Sequence, residues 1–516
     1  MPGPSHVRRP ASRREEYVPR GEERLRRKQT GQYITPTQVA QELGRYAAVD
    51  LAEVRHQVPD GGVLDPACGD GVFFEVALRW NWAGSAAECV GTDLDGDVID
   101  GPPGAELTVG DGLIDDGRRY GLVIGNPPFG GRGVRERTAE EMRRLAAGSE
   151  VWRCDKEGRP RRRKGEAPTK LELDRLRRFP ASSFFAERFV RATKPGGVLA
   201  ILLPESFFSS SRDAGVRAWM LRHARLVSVT SVHGRDFLRS GTRARTAWSV
   251  WIRRDEVLSQ ALDAAAIDPP VILRQPRDAT DHELVSAPGS RSFVVRVGVP
   301  TLLRHRRFDP RYFDPQWEDP LRDCRLPLRP LGDFVQDICY GALGRGKKPR
   351  VVESGGYRLV GQKAVQDAGL DWSVCPRIAG ERPFVQERYM LQPGDLVVPR
   401  SGMGTLGKNK LTRFDGLEDG DEALGAVVDC FDDRVVLRGI SSAWVLGVLR
   451  SEAGWWQIRR VISGVAQPNL SFTQIRALRM PVPPADVQAE AERIWARIAA
   501  GEEPFEALRD LVRKTL

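Results

Sequence analysis

Short apolar runs that end in turns and alternate with helical patterns constrain the first half of this chain more than any other feature. The runs are GGVLDPACGDG, ECVGTDLD, YGLVIGNPPFG, GGVLAILLPES and TAWSVWIRR, and all of them lie between residues 29 and 255. Strand patterns that alternate with helical ones are typical of βαβ units, whose strands run parallel within one sheet. The pattern therefore predicts an α/β fold with a mostly parallel sheet.

The length of the chain and its shifts in composition predict several segments. At roughly 150 residues per domain, a chain of 516 residues is expected to form two domains. We place a basic flexible arm at residues 1–28, an α/β domain at 29–255 with a basic insertion at 131–180, a connection at 256–325, a second domain at 326–484 and a C-terminal helical segment at 485–516. The insertion contains the run RPRRRK, and so polar a segment is expected to need a partner before it becomes ordered.

Composition limits the classes of function. Hydrophobic residues make up 41% of the sequence, and no stretch approaches the roughly 20 apolar residues that cross a bilayer, so a cytoplasmic protein without membrane contact is expected. The seven cysteines stand singly, which predicts neither a zinc site nor a disulfide framework, and therefore no metal. The net charge of +10 fits a polyanionic partner.

Three acidic turns predict a cofactor site. Small residues in the first turn, DPACGDG, let the backbone approach a ligand at a helix N-terminus, but this is not the phosphate-binding pattern GxGxxG. The next strand ends about twenty residues on in an acid that can accept hydrogen bonds from ribose hydroxyls. A third acid follows another short strand and can meet an adenine amino group. The predicted contacts in these turns are Asp65, Ala67, Cys68, Gly69, Asp93 and Asp111.

The sequence Asn126-Pro127-Pro128-Phe129 follows the strand-like run LVI and predicts a catalytic loop. An exocyclic amine is a poor nucleophile because its lone pair is delocalised into the ring. The Asn126 side-chain oxygen and the Pro127 carbonyl can bind its two N–H groups, which favours a pyramidal nitrogen facing a methyl sulfonium. Proline at 127 and 128 stiffens the loop, and Phe129 can stack on a base taken out of the duplex.

In order, GQYITP (31–36), DPACGDG, GTDLD and NPPF resemble the adenine-N6 DNA methyltransferases of restriction-modification systems, in the arrangement where catalytic motifs precede the recognition domain. The resemblance covers roughly residues 29–255 and includes FFAERF (184–189) and KPGGVLAILLPE (194–205). It implies a Rossmann-like class I methyltransferase fold, S-adenosylmethionine as cofactor, and a flipped adenine of duplex DNA as substrate.

Three further residues are carried over from this resemblance. Tyr33 and Thr35 match the segment that contacts the methionine moiety in the family, and are expected to bind the cofactor. Phe237 resembles a second aromatic that stacks against the flipped adenine, although its sequence context fits a core aromatic equally well. The family often has NPPY, and NPPF lacks the tyrosine hydroxyl, which bears on the fine positioning of the substrate.

The second half resembles one target-recognition domain of type I specificity subunits, an α+β domain with a trailing helix. The segments that carry this resemblance are LGDFV (331–335), LQPGDLVVPRSG (391–402), VAQPNLS (465–471) and MPVPP (480–484). Two glycine-rich basic loops, GRGKKPR and RSGMGTLGKNK, can bring backbone and cations close to phosphates, while arginine, lysine, asparagine or glutamine read base edges. The predicted DNA contacts are Arg345, Lys347, Lys348, Arg400, Lys408 and Lys410.

Other functions remain compatible with parts of this pattern. Cytosine-N4 methylation uses an amine with the same two N–H groups, and similar NPP loops serve protein-glutamine or ribosomal-RNA methyltransferases. A DNA-binding subunit without catalysis would not need the three acids or Asn126. Only about 28 residues precede the GQYITP-like segment, so we expect no intrinsic DNA cleavage, and other subunits of a restriction-modification or defence system are candidate partners. A single recognition domain fits a short asymmetric target or a symmetric one read by a dimer.

Overall fold

The computed structural model describes residues 34–129, 137–161, 168–177, 179–233, 237, 245–276, 292–315, 319–342, 348–402, 404–462 and 469–516. The chain divides into two compact units, Met1–Gln316 and Trp317–Leu516. Each unit has hydrophobic clusters of its own. In the part of the chain that is described, no helix has both the length and the apolar character needed to cross a membrane.

One large sheet forms the centre of the first unit. Its strands occur in the order β3-β2-β1-β4-β5-β7-β6-β8-β9. Strands β3, β2, β1, β4 and β5 are parallel neighbours, and β7 runs antiparallel between β5 and β6. Their bounds are β1 Val63–Asp65, β2 Cys89–Asp93, β3 Glu106–Val109, β4 Tyr120–Gly125, β5 Thr193–Pro204, β6 Ala224–Val232, β7 Thr246–Arg253, β8 Val271–Gln275 and β9 Phe293–Val297.

Helices cover both faces of this sheet, as the alternation of strands and helices predicts. In the apolar run of β5, Leu199, Ile201 and Leu203 join one cluster, and the residues between them join the other. Helices α1 and α2 pack in the second cluster, α5 and α7 in the first. The helices are α1 Thr37–Glu53, α2 Val72–Arg79, α3 Ala139–Gly148, α4 Lys170–Leu176, α5 Ala181–Ala192, α6 Glu205–Ser209, α7 Ala214–His223, α8 Ala264–Ile267 and α9 Val299–His305.

The predicted connection at 256–325 is wrong for most of its length. Strand β8 pairs in parallel with β6, and β9 pairs with β8, so this segment extends the large sheet. The division between the units falls at Gln316 instead. The sequence does not reveal β8 because its short apolar run, Val271-Ile272-Leu273, stands among prolines and charged residues. It does not reveal β9 because this strand exposes Val294 and Arg296 and so lacks a continuous apolar run.

The described part of the basic insertion, residues 137–161, 168–177, 179 and 180, differs from the expectation that the insertion needs a partner to become ordered, and residues 162–164 of the RPRRRK run lie outside the described residues. The described part contains α3, which begins with a capping box between Thr138 and Glu141, and α4. Met142 and Ala146 lie one turn apart on α3 and are fully buried in the core. The buried Glu187 on α5 accepts hydrogen bonds from the Glu150 backbone and the Ser149 hydroxyl. Few apolar residues at helical spacing are therefore enough to pack this segment against the unit.

The second unit is an α+β unit, in agreement with the predicted fold class. Its largest sheet has the order β11-β19-β16-β17 and is antiparallel, and smaller sheets join β15-β12-β18, β10-β20 and β13-β14. The strands are β10 Leu328–Pro330, β11 Val335–Tyr340, β12 Tyr357–Val360, β13 Val365–Gln366, β14 Gly369–Leu370, β15 Arg377–Ile378, β16 Leu396–Pro399, β17 Thr412–Arg413, β18 Ala426–Val428, β19 Asp432–Leu437 and β20 Arg479–Pro481.

The C-terminal segment at 485–516 belongs to the core of this second unit. It forms two helices, and Trp495 and Leu508 are fully buried in the same cluster as Trp444 on α10. The predicted boundary at 484 therefore does not mark the end of the unit. The helices are α10 Ser442–Arg450, α11 Glu452–Val461, α12 Phe472–Ala477, α13 Ala485–Ala499 and α14 Glu506–Thr515.

Candidate functional site

Four neighbouring strands of the first unit carry polar residues where they end. Asp65 and Asp93 are the last residues of β1 and β2, Asp111 comes two residues after β3, and Asn126 follows β4. The strand order β3-β2-β1-β4 and the parallel register bring these ends together at one edge of the sheet. Doubly wound sheets bind ligands at this edge, outside the carboxyl ends of their strands.

Asp65 is the most deeply buried of these acids. Its side chain is 1% exposed, and its Oδ1 accepts a hydrogen bond from the Ala67 backbone N at 3.0 Å. Burial raises the pKa of Asp65 well above its usual range, since the charged form loses its hydration. Gly125, at the end of β4, packs directly against this carboxyl group, and a Cβ there would overlap it.

Asp93 joins the end of β2 to the turn after β1. Its Oδ2 accepts from the Gly69 backbone N at 3.0 Å, and its Oδ1 accepts from the Asp95 backbone N at 2.9 Å. The backbone N of Cys68 donates to Thr92 O at 3.0 Å, which fixes the turn a second time. Burial raises the pKa of the Cys68 thiol, so this side chain stays protonated and packs as a small apolar group. A Cβ on Gly69 would meet no atom within 4 Å, so open space lies over this glycine.

Asp111 has a partner that the sequence does not reveal. Its Oδ1 accepts from the Leu113 backbone N at 3.1 Å, and its Oδ2 lies 2.6 Å from Nη1 of Arg137, just before α3. Arg137 stands among several arginines of the insertion, with no pattern that would single it out. An ionised carboxylate has about four acceptor positions, so these two contacts leave Asp111 able to accept from an adenine amino group.

The catalytic loop predicted from NPPF is fixed by the segment before α1. Asn126 Nδ2 donates to Thr35 Oγ1 at 2.8 Å, and Thr35 is only 4% exposed. Because the two ends of a carboxamide point apart, this bond directs Oδ1 of Asn126 away from Thr35. Pro127 is buried, Pro128 is half-buried, and the half-buried Phe129 packs against the core.

The turns after β1 and β3 touch at Gly112. A Cβ at this position would overlap the carbonyl oxygen of Pro66, so only glycine allows the contact. Gly112 directly follows Asp111, and Pro66 directly follows Asp65. The close approach therefore sets the spacing of two of the acid-bearing turns.

The structure does not gather all of the predicted residues. Tyr33, Arg345 and Lys347 lie outside the described residues. Phe237 is 1% exposed and lies in the same cluster as Trp248, so its ring is covered in this conformation, and a stacking role stays a prediction that requires the ring to move. In the second unit, Lys348 and Lys408 are exposed, and Lys410 and Arg400 are partly buried.

The fold and this strand edge define the first unit as a class I S-adenosylmethionine-dependent methyltransferase fold. No family model matches the chain. Among curated proteins, a type II methyltransferase of Thermus thermophilus is 27% identical over 207 residues. This match covers 37% of the chain and 42% of that enzyme, so the chain spans less than half the length of this relative.

Solved structures were also found that are similar to this chain. The type IIL restriction-modification enzyme MmeI, determined in complex with DNA, aligns with a TM-score of 0.51 at 10% identity, over 95% of this chain and 76% of MmeI. A Listeria monocytogenes protein, provisionally named a class I S-adenosylmethionine-dependent methyltransferase, aligns with a TM-score of 0.33 at 21% identity, over 48% of this chain and 67% of that one. Identities this low relate folds and not activities.

Proposed function

We propose that this chain is a DNA methyltransferase of a restriction-modification or defence system, which transfers a methyl group from S-adenosylmethionine to N6 of adenine. The observation that carries the proposal is the Asn126 side chain. It is held by Thr35 at the end of β4, beside the acid-bearing ends of β1, β2 and β3. The second unit serves as the target-recognition domain of this enzyme, and duplex DNA is its partner.

The residues at this edge fit S-adenosylmethionine. The Asp93 carboxylate keeps acceptor positions for the ribose hydroxyls, and the open space over Gly69 lies beside it. Asp111 would accept a hydrogen bond from the adenine amino group of the cofactor, and Asp65 lies at the end of β1, the strand between β2 and β4. The cofactor supplies a methyl group on a cationic sulfur, which acidic turns stabilise by charge.

Asn126 and Pro127 act on the amine that receives the methyl group. The Asn126 oxygen and the Pro127 carbonyl accept hydrogen bonds from the two N–H groups of the amine, so the nitrogen becomes pyramidal and its lone pair turns toward the sulfonium. One amine proton is released to solvent once the nitrogen carries the methyl group. The bond from Asn126 to Thr35 prepares this arrangement before the base arrives, which avoids the cost of orienting the amide during the reaction. Phe129 stacks on the adenine after the base leaves the duplex.

Methyl transfer from labelled S-adenosylmethionine tests the proposal. We expect label on N6 of adenine when the purified full chain meets duplex DNA. Asn126→Ala should abolish transfer and leave cofactor binding, measured by calorimetry, nearly unchanged. Asn81→Gly is a matched control because it removes an exposed carboxamide from a left-handed turn. Label on cytosine, RNA or protein, or an active Asn126→Ala variant, would contradict the proposal, and modification-sensitive sequencing of host DNA identifies base and target together.

A further inference from the structure

Arg400, in the second unit, is fixed more firmly than an ordinary surface arginine. It follows β16, and its backbone N donates to Phe431 O at 3.0 Å. Its own carbonyl accepts from the Leu470 backbone N at 2.9 Å. Hydrogen bonds on both sides of the residue hold its Cα in place, so the direction of the side chain is set by the fold.

Two aromatic rings hold the guanidinium of Arg400. Its Cζ lies 4.0 Å from the centre of the Tyr340 ring and 5.5 Å from the centre of the Phe472 ring. The side chain keeps 23% of its surface exposed. A guanidinium that stacks through its flat face leaves its N–H edge free to donate hydrogen bonds. The arrangement therefore restrains a long side chain and keeps its donors accessible.

Asp433 on β19 pairs with one of the guanidinium nitrogens of Arg400. Its Oδ1 lies 3.7 Å from Nε of Arg400, and the Asp433 side chain is completely buried. Burial raises the pKa of Asp433 to about 7, and the charge of Arg400 acts in the opposite direction. Within the described residues, this 3.7 Å pair with Asp433 is the one ion pair of Arg400, and its guanidinium makes no hydrogen bond. The nitrogen paired with the buried acid is therefore Nε, and neither terminal nitrogen is hydrogen-bonded to it.

A purely structural ion pair is a weaker explanation of this geometry. A distance of 3.7 Å exceeds the roughly 2.7–3.2 Å of a good N–H···O hydrogen bond. The pair with Asp433 therefore orients the guanidinium by charge and does not satisfy its N–H donors. Phosphate contact is also less suitable, because it needs only a mobile cation, which the exposed Lys408 in the following loop already provides. A restrained fork fits the O6 and N7 acceptors of guanine, which an arginine binds with two parallel hydrogen bonds.

An exposed aromatic lies beside this arginine. Phe431 is 55% exposed in the tight turn that begins β19, and its carbonyl is the acceptor for Arg400 N. Gln362 Nε2 donates to Ser401 O at 2.6 Å and to Phe431 O at 3.1 Å, which ties the two turns together. A large apolar side chain on a rigid tip is costly in water and suits contact with a base, a sugar or a thymine methyl group.

The geometry points to Arg400 as the residue that reads a guanine of the DNA target in the major groove, with Asp433 and Tyr340 as positioning residues. This inference rests on the proposed function of the second unit and extends it, because it names one base and the side chain that selects it. Phe431 contacts the neighbouring nucleotide.

Selection of bound duplexes from a randomised library tests this inference with the full chain, and it does not depend on methyl transfer. The wild-type chain should enrich a motif with an invariant guanine. Arg400→Lys keeps the charge and loses the fork, so the preference at that guanine should fall about 10–100-fold while the other positions and the salt dependence stay the same. Arg513→Ala, which removes an exposed arginine from α14, should change nothing.

Two further measurements distinguish recognition of guanine by Arg400 from a purely structural role of this side chain. Replacing the guanine by 7-deazaguanine removes the N7 acceptor, which should weaken binding by the wild-type chain and not by Arg400→Ala. Asp433→Asn should lower the preference at the same position without loss of thermal stability. A uniform loss at all positions with a smaller salt slope would identify a phosphate contact and overturn the inference, as would a motif without an invariant guanine. Selection of the motif without any methyl transfer would instead refute the proposed enzyme activity alone.

Discussion

At the scale of single residues, the hydrogen bond between Asn126 and Thr35 suggests that Thr35 orients the Asn126 amide and does not mainly bind the cofactor. The resemblance to adenine methyltransferases assigns this threonine to the cofactor, whereas the structure shows its hydroxyl accepting a hydrogen bond from the side-chain amide of Asn126. The two residues are 91 positions apart in sequence. A side chain buried against the amide acts on its orientation, so its removal should affect the reaction more than the binding of the cofactor.

Thr35→Val tests this role, because valine keeps the shape and removes the acceptor. We expect methyl transfer at saturating cofactor and DNA to fall about tenfold, the cost of about 1.4 kcal/mol for one lost hydrogen bond that orients the amide. The affinity for S-adenosylmethionine should change little. Thr108→Val on the exposed edge strand β3 is the control. A large loss of cofactor affinity at an unchanged maximal rate would contradict this role and support the cofactor contact that the resemblance implies for Thr35.

The sequence predicts the acids and the NPPF loop because each of them lies at or just after the end of a recognisable strand. The structure brings them to neighbouring strand ends, which position alone suggests in an α/β sheet. The sequence does not predict three side-chain contacts: Arg137 with Asp111, Thr35 with Asn126, and Asp433 with Arg400. Each of these side chains gains its role from a partner that is distant in sequence, and neither hydrophobic period nor spacing records such pairs.

At the scale of elements, helix α7 ends in a half-buried histidine that couples the stability of the first unit to pH. His223 lies at the end of the helix, and its ring stacks on the Trp219 ring with 3.9 Å between the ring centres. Its Nδ1 is hydrogen-bonded to the Trp219 carbonyl oxygen at 2.8 Å. Burial lowers the pKa of His223 to about 4. The unfolded chain therefore binds a proton between about pH 6.5 and 4 that the folded chain does not, and stability is lost as the pH falls through this range.

From pH 7 to pH 5, His223 should remove about 2 kcal/mol of the free energy of unfolding. Urea unfolding of the first unit, followed by tryptophan fluorescence at both pH values, measures this loss. His223→Gln cannot take up the proton, so its unfolding free energy should depend less on pH by the same amount. An identical pH dependence in the variant would show that His223 is not the group responsible.

Elements with long apolar runs are predictable from this sequence, and elements with short ones are not. The five apolar runs predict β1, β2, β4, β5 and β7, whereas the sequence of β8 and β9 predicts a connection. Helix α3 was hidden because Met142 and Ala146 are its only fully buried residues among many charged ones. Tertiary packing in these places outweighs local composition.

At the scale of the whole molecule, the net charge of +10 bears on affinity for DNA. Each phosphate contact contributes a slope of about −0.9 to the dependence of log affinity on log salt concentration. If Lys408 and its neighbours contact phosphates, binding of the full chain to duplex DNA should weaken about tenfold or more between about 50 and 200 mM salt. Fluorescence anisotropy with a labelled duplex measures the slope, and a flat response would exclude these contacts.

The contact of Gly112 with the Pro66 carbonyl has an evolutionary consequence. Any single-nucleotide change that alters a glycine codon introduces a side chain or a stop, and the smallest side chain already overlaps this carbonyl. Gly125 is restricted in a related way, because a Cβ there would overlap the buried side chain of Asp65. A substitution at either position therefore forces a neighbouring turn or side chain to move, which opposes gradual change at this edge of the site. Variation among descendants of this chain will therefore accumulate in loops where a Cβ meets open space.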